Sequence, residues 1–205
     1  MSAEEQPEEL GGEAPLLSHL IELRTRLLRM VAVILVLFVA MAPFANQLFT
    51  LVAEPLMAKL PEGTSMIATQ VASPFLTPFK MAMVGAIFLA MPWVLYQAWA
   101  FIAPGLYQQE KRFAIPMLIS SIILFYAGVA FAYFVVFPLM FGFFTAVAPE
   151  GVEVMTDINS YLNFVIALFF AFGMAFEVPI ATVLVVWAGI TTPEALGKKR
   201  AYVLI

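Results

Sequence analysis

The chain has 205 residues, of which 63% are hydrophobic and 12% charged, and its formal net charge is −4. Soluble domains average about 25% charged residues, so this composition excludes an ordinary water-soluble fold and predicts one all-α, polytopic membrane helical bundle with lipid as its apolar solvent. With no cysteine and the single histidine His19, the sequence excludes disulfides, iron–sulfur clusters, bis-histidine haem and most zinc sites, and we expect neither a cofactor nor a metal.

The first thirteen residues form an acidic segment. It holds five of the 14 acidic residues and no basic one, so the remaining nine acids and 10 bases sum to +1. Such a composition, with Pro7, Gly11 and Gly12, is typical of disorder, and it lacks the basic start of a signal peptide. We therefore expect residues 1–13 to be a disordered tail and residues 14–205 to form the membrane domain.

An amphipathic pattern covers Leu16 to Arg29 and leads into the first apolar stretch. Leucines recur at helical spacing among polar residues, at positions 16, 20, 23 and 27. The pattern predicts a helix along the membrane interface that runs into the first span. Because Glu22 and Arg26 stand at i and i+4, the residues alone also fit a simple interfacial anchor that contains an ion pair.

Long uncharged stretches predict four complete spans, since a helix needs about 20 apolar residues to cross the bilayer. We place them near residues 28–46, 76–98, 114–138 and 160–182. Asp157 and Ser160 are typical helix-capping residues at the start of the fourth span. The third stretch is longer than a span requires, and we expect Pro138 to end or kink it. The segment from Ala201 predicts the start of a fifth span and a truncated sequence.

The basic residues predict the orientation. Eight of the 10 lie before the first span, between the second and third, and between the fourth and fifth, where they are Arg24, Arg26, Arg29, Lys111, Arg112, Lys198, Lys199 and Arg200. The loops on the opposite side contain only Lys59, and Lys80 near a span end can extend its ammonium to the interface. The positive-inside rule therefore predicts a cytoplasmic N-terminus.

The connection between the second and third spans combines a turn with charged residues. Pro104-Gly105 is a turn signal, and Glu110 precedes the two bases Lys111 and Arg112. From the pattern alone, an acid followed by two bases is typical of a solvated helix start.

Glu177 lies within the fourth predicted span. A charge at membrane depth costs at least about 2.5–3.5 kcal/mol. The carboxyl is therefore expected to face a polar cavity, to pair with a partner, or to hold its proton within the bundle. Pro179 is expected to bend the helix and free a backbone carbonyl nearby.

The sequence contains none of several catalytic signatures. There is no G-x-S-x-G nucleophile elbow, no H-E-x-x-H zinc motif and no phosphate-binding G-x-x-x-x-G-K-[ST]. A paired-aspartate protease is also excluded, because Asp157 is the only aspartate. We therefore expect a protein that is not an enzyme.

Three ordered motifs together resemble a known family. They are His19-Leu-Ile-Glu22-Leu-Arg24-x-Arg26, then Tyr96-Gln97-x-Trp99-x-Phe101-x-x-Pro104-Gly105-Leu106-Tyr107-x-x-Glu110-Lys111-Arg112, then Phe176-Glu177-x-Pro179. The combination is identified as that of the TatC family, the C subunits of the twin-arginine protein translocase. The stretch from Met66 to Phe75 is similar to the proteobacterial branch, and the resemblance runs from about Leu16 to Ile205.

The resemblance implies a cup-shaped scaffold of six spans in the bacterial inner membrane. Its implied function is that of a core receptor, which binds twin-arginine signal peptides of folded export substrates at the cytoplasmic face. The implied partners are single-span A-type and B-type translocase subunits, membrane lipid and further copies of the chain, without nucleic acid. The family uses the proton-motive force.

The resemblance also implies roles for individual residues. It assigns signal-peptide binding to Glu22, Glu110, Phe101, Arg24 and Leu16, and loop structure to Pro104, Gly105, Tyr107, Lys111 and Arg112. An arginine pairs with a carboxylate through two parallel hydrogen bonds, which suits Glu22 and Glu110 as partners of a twin-arginine motif. Nearby basic residues are expected to keep both carboxyls ionised.

Glu177 and Pro179 are assigned to partner docking or substrate passage. Because Gly173 and Ala175 are small, we expect a foreign helix to approach there, and a concave, partly polar pocket around Glu177 that opens toward lipid. The alternative hypothesis is a proton-coupled secondary transporter that uses Glu177 as its carrier. Such transporters often contain inverted repeats, and no duplicated pattern relates the two halves of this chain.

Overall fold

The structure is a computed structural model that describes residues 13–58, 65–102, 114–147 and 155–187, with side chains from Leu17 onward. Over these ranges the chain is helical apart from short connections. In chain order the helices are α1 (Glu13–Met41), α2 (Ala45–Met57), α3 (Ser73–Ile102), α4 (Ala114–Phe131), α5 (Phe137–Val147) and α6 (Ile158–Trp187). The predicted all-α fold is confirmed.

Four helical segments are long and apolar enough to cross a membrane. They are Leu17–Met57, Ser73–Ile102, Ala114–Val147 and Ile158–Trp187. Each contains one predicted span and extends beyond it, because a 30-residue helix of about 45 Å reaches through both interfacial regions of the bilayer as well as its core. The segment near Ala201 and residues 1–12 lie outside the described residues, and Glu13 is already the first residue of α1.

The amphipathic segment and the first span form one continuous helix, as the pattern predicts. Helix α1 runs without a break from Glu13 to Met41. A 3₁₀ turn at Ala42–Phe44 then leads into α2. Pro43 explains the change, because proline has no N–H to continue the α-helical hydrogen bonds. The exposed amphipathic residues of α1 are therefore fixed rigidly to the first span.

The third span shows that Pro138 does not end its helix. Five residues of π-helix, Ala132–Val136, join α4 to α5, which continues to Val147. The wider turn lies directly before Pro138, where the proline ring would otherwise clash with the carbonyl of the preceding turn. The expected disturbance is therefore a π-bulge, and the part of the chain after Pro138 remains helical.

An apolar core that combines aliphatic and aromatic side chains lies between α2, α3, α5 and α6. Phe137, Leu162 and Val165 are fully buried at its centre. The Phe137 and Phe169 rings lie 5.1 Å apart between centroids, and Tyr161 donates a 2.7 Å hydrogen bond to the carbonyl of Val52. This bond satisfies a hydroxyl group that is buried away from water.

Two glycines allow α4 and α6 to pack closely. A Cβ on Gly128 would lie 2.4 Å from the backbone oxygen of Phe172, and a Cβ on Gly173 would lie 2.7 Å from the ring of Phe125. The expectation that Gly173 admits a foreign helix is therefore wrong, because its open side is already filled by Phe125 of α4. Small residues at such crossings are typical of membrane helix pairs.

A hydrogen-bonded clasp joins two connections at the end of the bundle where α3 and α6 begin. Ile67 forms an isolated parallel bridge with Asp157. The N–H and hydroxyl of Thr69 donate to Oδ2 of Asp157 at 3.0 and 2.8 Å, while the N–H groups of Asn159 and Ser160 donate to Oδ1 at 3.1 and 2.8 Å. The predicted cap is confirmed, and the bonds from the Thr69 and Ser160 N–H groups hold the pKa of Asp157 well below its usual range.

We predict that Gly128→Ala destabilises the bundle, because the added methyl group meets backbone rather than a movable side chain. Overpacking of this kind costs about 1–3 kcal/mol. Gly142→Ala is the matched control, since nothing lies within 4 Å of a Cβ there. Thermal unfolding of the purified protein in detergent measures both. Equal melting temperatures for the two variants would contradict the close packing of α4 on α6.

Candidate functional site

Glu22 lies in the amphipathic part of α1 and forms an ion pair within its own helix. Nη2 and Nε of Arg26 donate to Oε1 of Glu22 at 2.5 and 2.9 Å. The predicted i, i+4 pair is thereby confirmed. The Glu22 side chain is 38% exposed and that of Arg26 is 17% exposed. The carboxylate is thus held in place while part of it remains accessible.

Arg26 also connects α1 to α3. Its Nη1 donates a 3.1 Å hydrogen bond to Oε1 of Gln97, a residue that is only 2% exposed. Gln97 belongs to the second sequence motif, but the sequence alone predicts no contact for it. Its position could have predicted the contact, because an amide side chain inside a long uncharged stretch needs a hydrogen-bond partner within the membrane. Gln97 therefore fixes the guanidinium that in turn orients Glu22.

Phe101 lies beside the same part of α1. Its ring stacks on His19, with centroids 4.2 Å apart and an interplanar angle of 22°. His19 precedes Glu22 by three residues and so lies near it along the helix. The structure thus brings Phe101 close to the segment that carries Glu22.

The same segment of α1 presents an exposed apolar surface. Within the described residues, Leu20 is 60%, Leu23 42% and Leu27 55% exposed. Arg24 is also exposed, and the side chain of Leu16 is outside the described part. A carboxylate bordered by uncovered leucines is suited to a ligand that has both a cation and an apolar run.

The remaining predicted residues of this site lie outside the described residues. They are Pro104, Gly105, Tyr107, Glu110, Lys111 and Arg112. Phe101 and Ile102 end α3 directly before them. That Glu22 and Glu110 face one common site therefore stays a prediction.

Glu177 occupies a second, separate position within the membrane. The Ser121 hydroxyl of α4 lies close to its carboxyl, and Nε1 of Trp99 in α3 donates to Ser121 Oγ at 3.4 Å. Oε1 of Glu177 is buried and has no hydrogen-bond partner among the described residues. The carboxyl is therefore only partly satisfied by the bundle. Trp99 and Ser121 had no predicted role.

The surroundings of Glu177 are mixed. The neighbouring Met174 is 60% exposed and Val178 37% exposed, and Ala175 and Pro179 are exposed as well. The face of α6 next to the carboxyl is thus on the outer surface of the bundle. The concave, partly polar pocket expected around Glu177 stays a prediction.

Comparison with known proteins gives consistent matches. The family described as "TatC: Sec-independent protein translocase protein (TatC)" matches residues 18–205. The chain is 61% identical to the Sec-independent protein translocase protein TatC of Azotobacter chroococcum over 94% of this chain and 76% of that protein. It is 58% identical to the protein of the same name from Escherichia coli strain K12, over 93% of this chain and 74% of that protein.

A solved structure shares the fold. It is described as the crystal structure of the twin arginine translocase receptor TatC, and it superposes with a TM-score of 0.81 at 36% sequence identity. The match covers 90% of this chain and 81% of that chain. The helical architecture is therefore shared along nearly the whole compared length.

We predict that Gln97 and Arg26 are energetically coupled. Removing a hydrogen bond to a buried charged group costs about 1.5–3 kcal/mol, so Gln97→Leu should lower the free energy of unfolding by that amount. The same substitution in an Arg26→Leu background should have little effect, because the partner is already absent. Denaturant unfolding of the original chain, the two single variants and the double variant measures this double-mutant cycle. Additive losses would show that the two side chains act independently.

Proposed function

Because this chain belongs to the TatC family of Sec-independent protein translocase proteins, we propose that it is the receptor subunit that binds twin-arginine signal peptides at the membrane face holding Glu22. The chain is a multi-pass protein of the bacterial inner membrane, with four described helices of spanning length. Its role is one of binding and transport rather than catalysis. The positive-inside bias puts the N-terminus and the receptor face in the cytoplasm.

The observation that supports this proposal best is the Glu22 carboxylate, held by Arg26 beside exposed leucines. A carboxylate has about four acceptor positions, and both contacts from Arg26 go to the same oxygen, Oε1. Oε2 can therefore accept one guanidinium N–H from a peptide while Arg26 is in place, and two parallel bonds form once Arg26 releases Oε1. Arginine is preferred over lysine because its planar fork makes two parallel hydrogen bonds to a carboxylate.

Arg26 acts as an internal substitute for a peptide arginine. An interfacial carboxylate without a counter-charge is unfavourable, and Arg26 supplies that charge while the site is empty. A signal peptide then places one arginine on Glu22 and the other on Glu110. We assign Arg24 to the same site, together with the segment that contains Pro104, Gly105, Tyr107, Lys111 and Arg112.

The apolar part of a signal peptide completes the contact. Its hydrophobic region of about 7–15 residues lies along Leu16 and the exposed leucines of α1, and Phe101 adds an aromatic contact next to His19. The charged and apolar halves of the ligand thus meet matching surfaces of one helix. At this binding step the folded cargo stays in the cytoplasm, since only the peptide enters the site.

Glu177 serves a different step, the docking of single-span translocase subunits or the passage of substrate. Its buried Oε1 lacks a partner among the described residues, and a polar group on a docked helix would supply one. Pro179 leaves an unbonded carbonyl in the preceding turn, which adds a second acceptor. Movement through the assembly is driven by the proton-motive force.

We predict that Glu22→Gln and Glu110→Gln each weaken signal-peptide binding by about 2–5 kcal/mol, the usual loss when one member of a buried interfacial charge pair is truncated. Photocrosslinking of a twin-arginine peptide to membranes that contain the chain measures binding, and a twin-lysine peptide is the ligand control. Glu54→Gln, in α2 at the opposite end of the bundle, is the protein control. Equal losses of binding and of membrane-inserted protein would indicate a structural role.

We predict that Glu177→Ala reduces crosslinking to the single-span subunits and leaves signal-peptide crosslinking unchanged. The carboxyl lies in α6, whereas the peptide contacts come from α1 and the end of α3. Glu177→Gln should retain part of the partner contact, because an amide still donates and accepts hydrogen bonds. Small-molecule flux by the chain alone, abolished in Glu177→Gln, would instead favour the proton-coupled transporter.

A further inference from the structure

A cavity at the end of the bundle opposite Glu22 has features that the receptor role does not use. It measures about 500 Å³ and lies between α1 and the start of α3. Its lining is mostly apolar and includes Phe38, Leu76 and Met83, and it also includes Ser73, Thr77 and Lys80. These three polar residues of α3 stand at i, i+4 and i+7 and so share one face of the helix, and of the three only Lys80 is exposed.

Lys80 brings a cation to this cavity. Its ammonium donates a hydrogen bond to Oδ1 of Asn163 in α6, and within the described part of the chain its other two N–H donors are left for another ligand. Among the described residues, no carboxylate lies within the 4.0 Å range of an ion pair with Lys80. Asp157 in the adjoining clasp accepts hydrogen bonds from Thr69, Asn159 and Ser160 instead.

The depth of Lys80 matches the phosphate level of a bilayer. It lies seven residues after Ser73, the first residue of α3, which is about 10 Å along the helix. A 30-residue helix exceeds the hydrocarbon core by about 15 Å, so Lys80 is attached just inside the core boundary. Helical side chains lean toward the N-terminus, and the ammonium therefore extends outward to the headgroups.

We propose that this cavity binds one anionic phospholipid, with the phosphate on the Lys80 ammonium and part of an acyl chain against Phe38, Leu76 and Met83. The exposed Lys80 cation and the apolar lining match the two parts of such a molecule. A partner helix fits less well, because 500 Å³ holds only about one turn of a helix some 10 Å wide. The lipid joins α1, α3 and α6 at the end of the bundle where Asp157 forms its clasp.

The test is native mass spectrometry of the purified full chain in mild detergent, with phosphatidylglycerol added. Lys80→Met should retain about fivefold less lipid than the original chain, the effect expected for one cation near an anionic surface. Lys80→Arg should retain it, since the charge is kept. Arg29→Met removes a cation from α1 at the other end of the bundle and should also retain it.

Ligand controls distinguish the source of the phosphate. Phosphatidylcholine should bind more weakly than phosphatidylglycerol because its choline offsets the phosphate charge, and inorganic phosphate should not displace the lipid because it lacks an acyl chain. Displacement by inorganic phosphate would overturn the lipid assignment in favour of a free-anion site. Equal retention of phosphatidylglycerol and phosphatidylcholine would also overturn it.

A second variant distinguishes loss of the lipid site from misfolding of the Lys80→Met variant. Met83→Trp keeps the ammonium and fills the apolar part of the cavity, so it should lower lipid retention as well. Signal-peptide crosslinking on the same preparations should be unchanged in both variants, which separates this site from the receptor face. Unchanged lipid retention in both variants would overturn the proposal, and so would a change only in the number of chains per particle, which would indicate a protein interface.

Discussion

A polar group inside the bilayer has no water to bind, and it must find its partner within the protein or on a bound molecule. This constraint accounts for the few polar contacts between the helices. Arg26 reaches Gln97, Trp99 reaches Ser121, and Tyr161 reaches a backbone carbonyl of α2. Each contact joins two helices that the apolar surface alone would leave free to rotate, because lipid tails are as apolar as the helix faces.

The same constraint makes the exceptions informative. Among the described residues, Glu177 keeps one buried oxygen without a partner and the Lys80 ammonium donates to Asn163 alone. A soluble protein would solvate both groups at little cost. We have proposed a partner helix for the carboxyl and a lipid phosphate for the ammonium. The three proposed sites thus lie at the two ends and within the span of one bundle.

Packing between helices overrides two expectations that rest on single residues, one about the helix at Pro138 and one about the space beside Gly173. Pro138 is a helix breaker by local chemistry, yet its helix continues, since a π-helical turn accommodates the ring and the buried Phe137 and Phe141 hold α5 in the core. Gly173 is small enough for a foreign helix, but Phe125 of the neighbouring helix already fills that space. In both cases a contact made far along the chain outweighs a preference that concerns only a few residues.

The sequence by itself determined the features that depend on short separations along the chain. Runs of apolar residues set the number of spans, and a spacing of four residues set the Glu22–Arg26 pair. Only the tertiary structure decided that Gln97, 71 residues away, fixes Arg26, or that Thr69, 88 residues away, binds Asp157. The physical reason is that hydropathy places a helix in the membrane without fixing its rotation or tilt, which follow from packing against neighbouring helices.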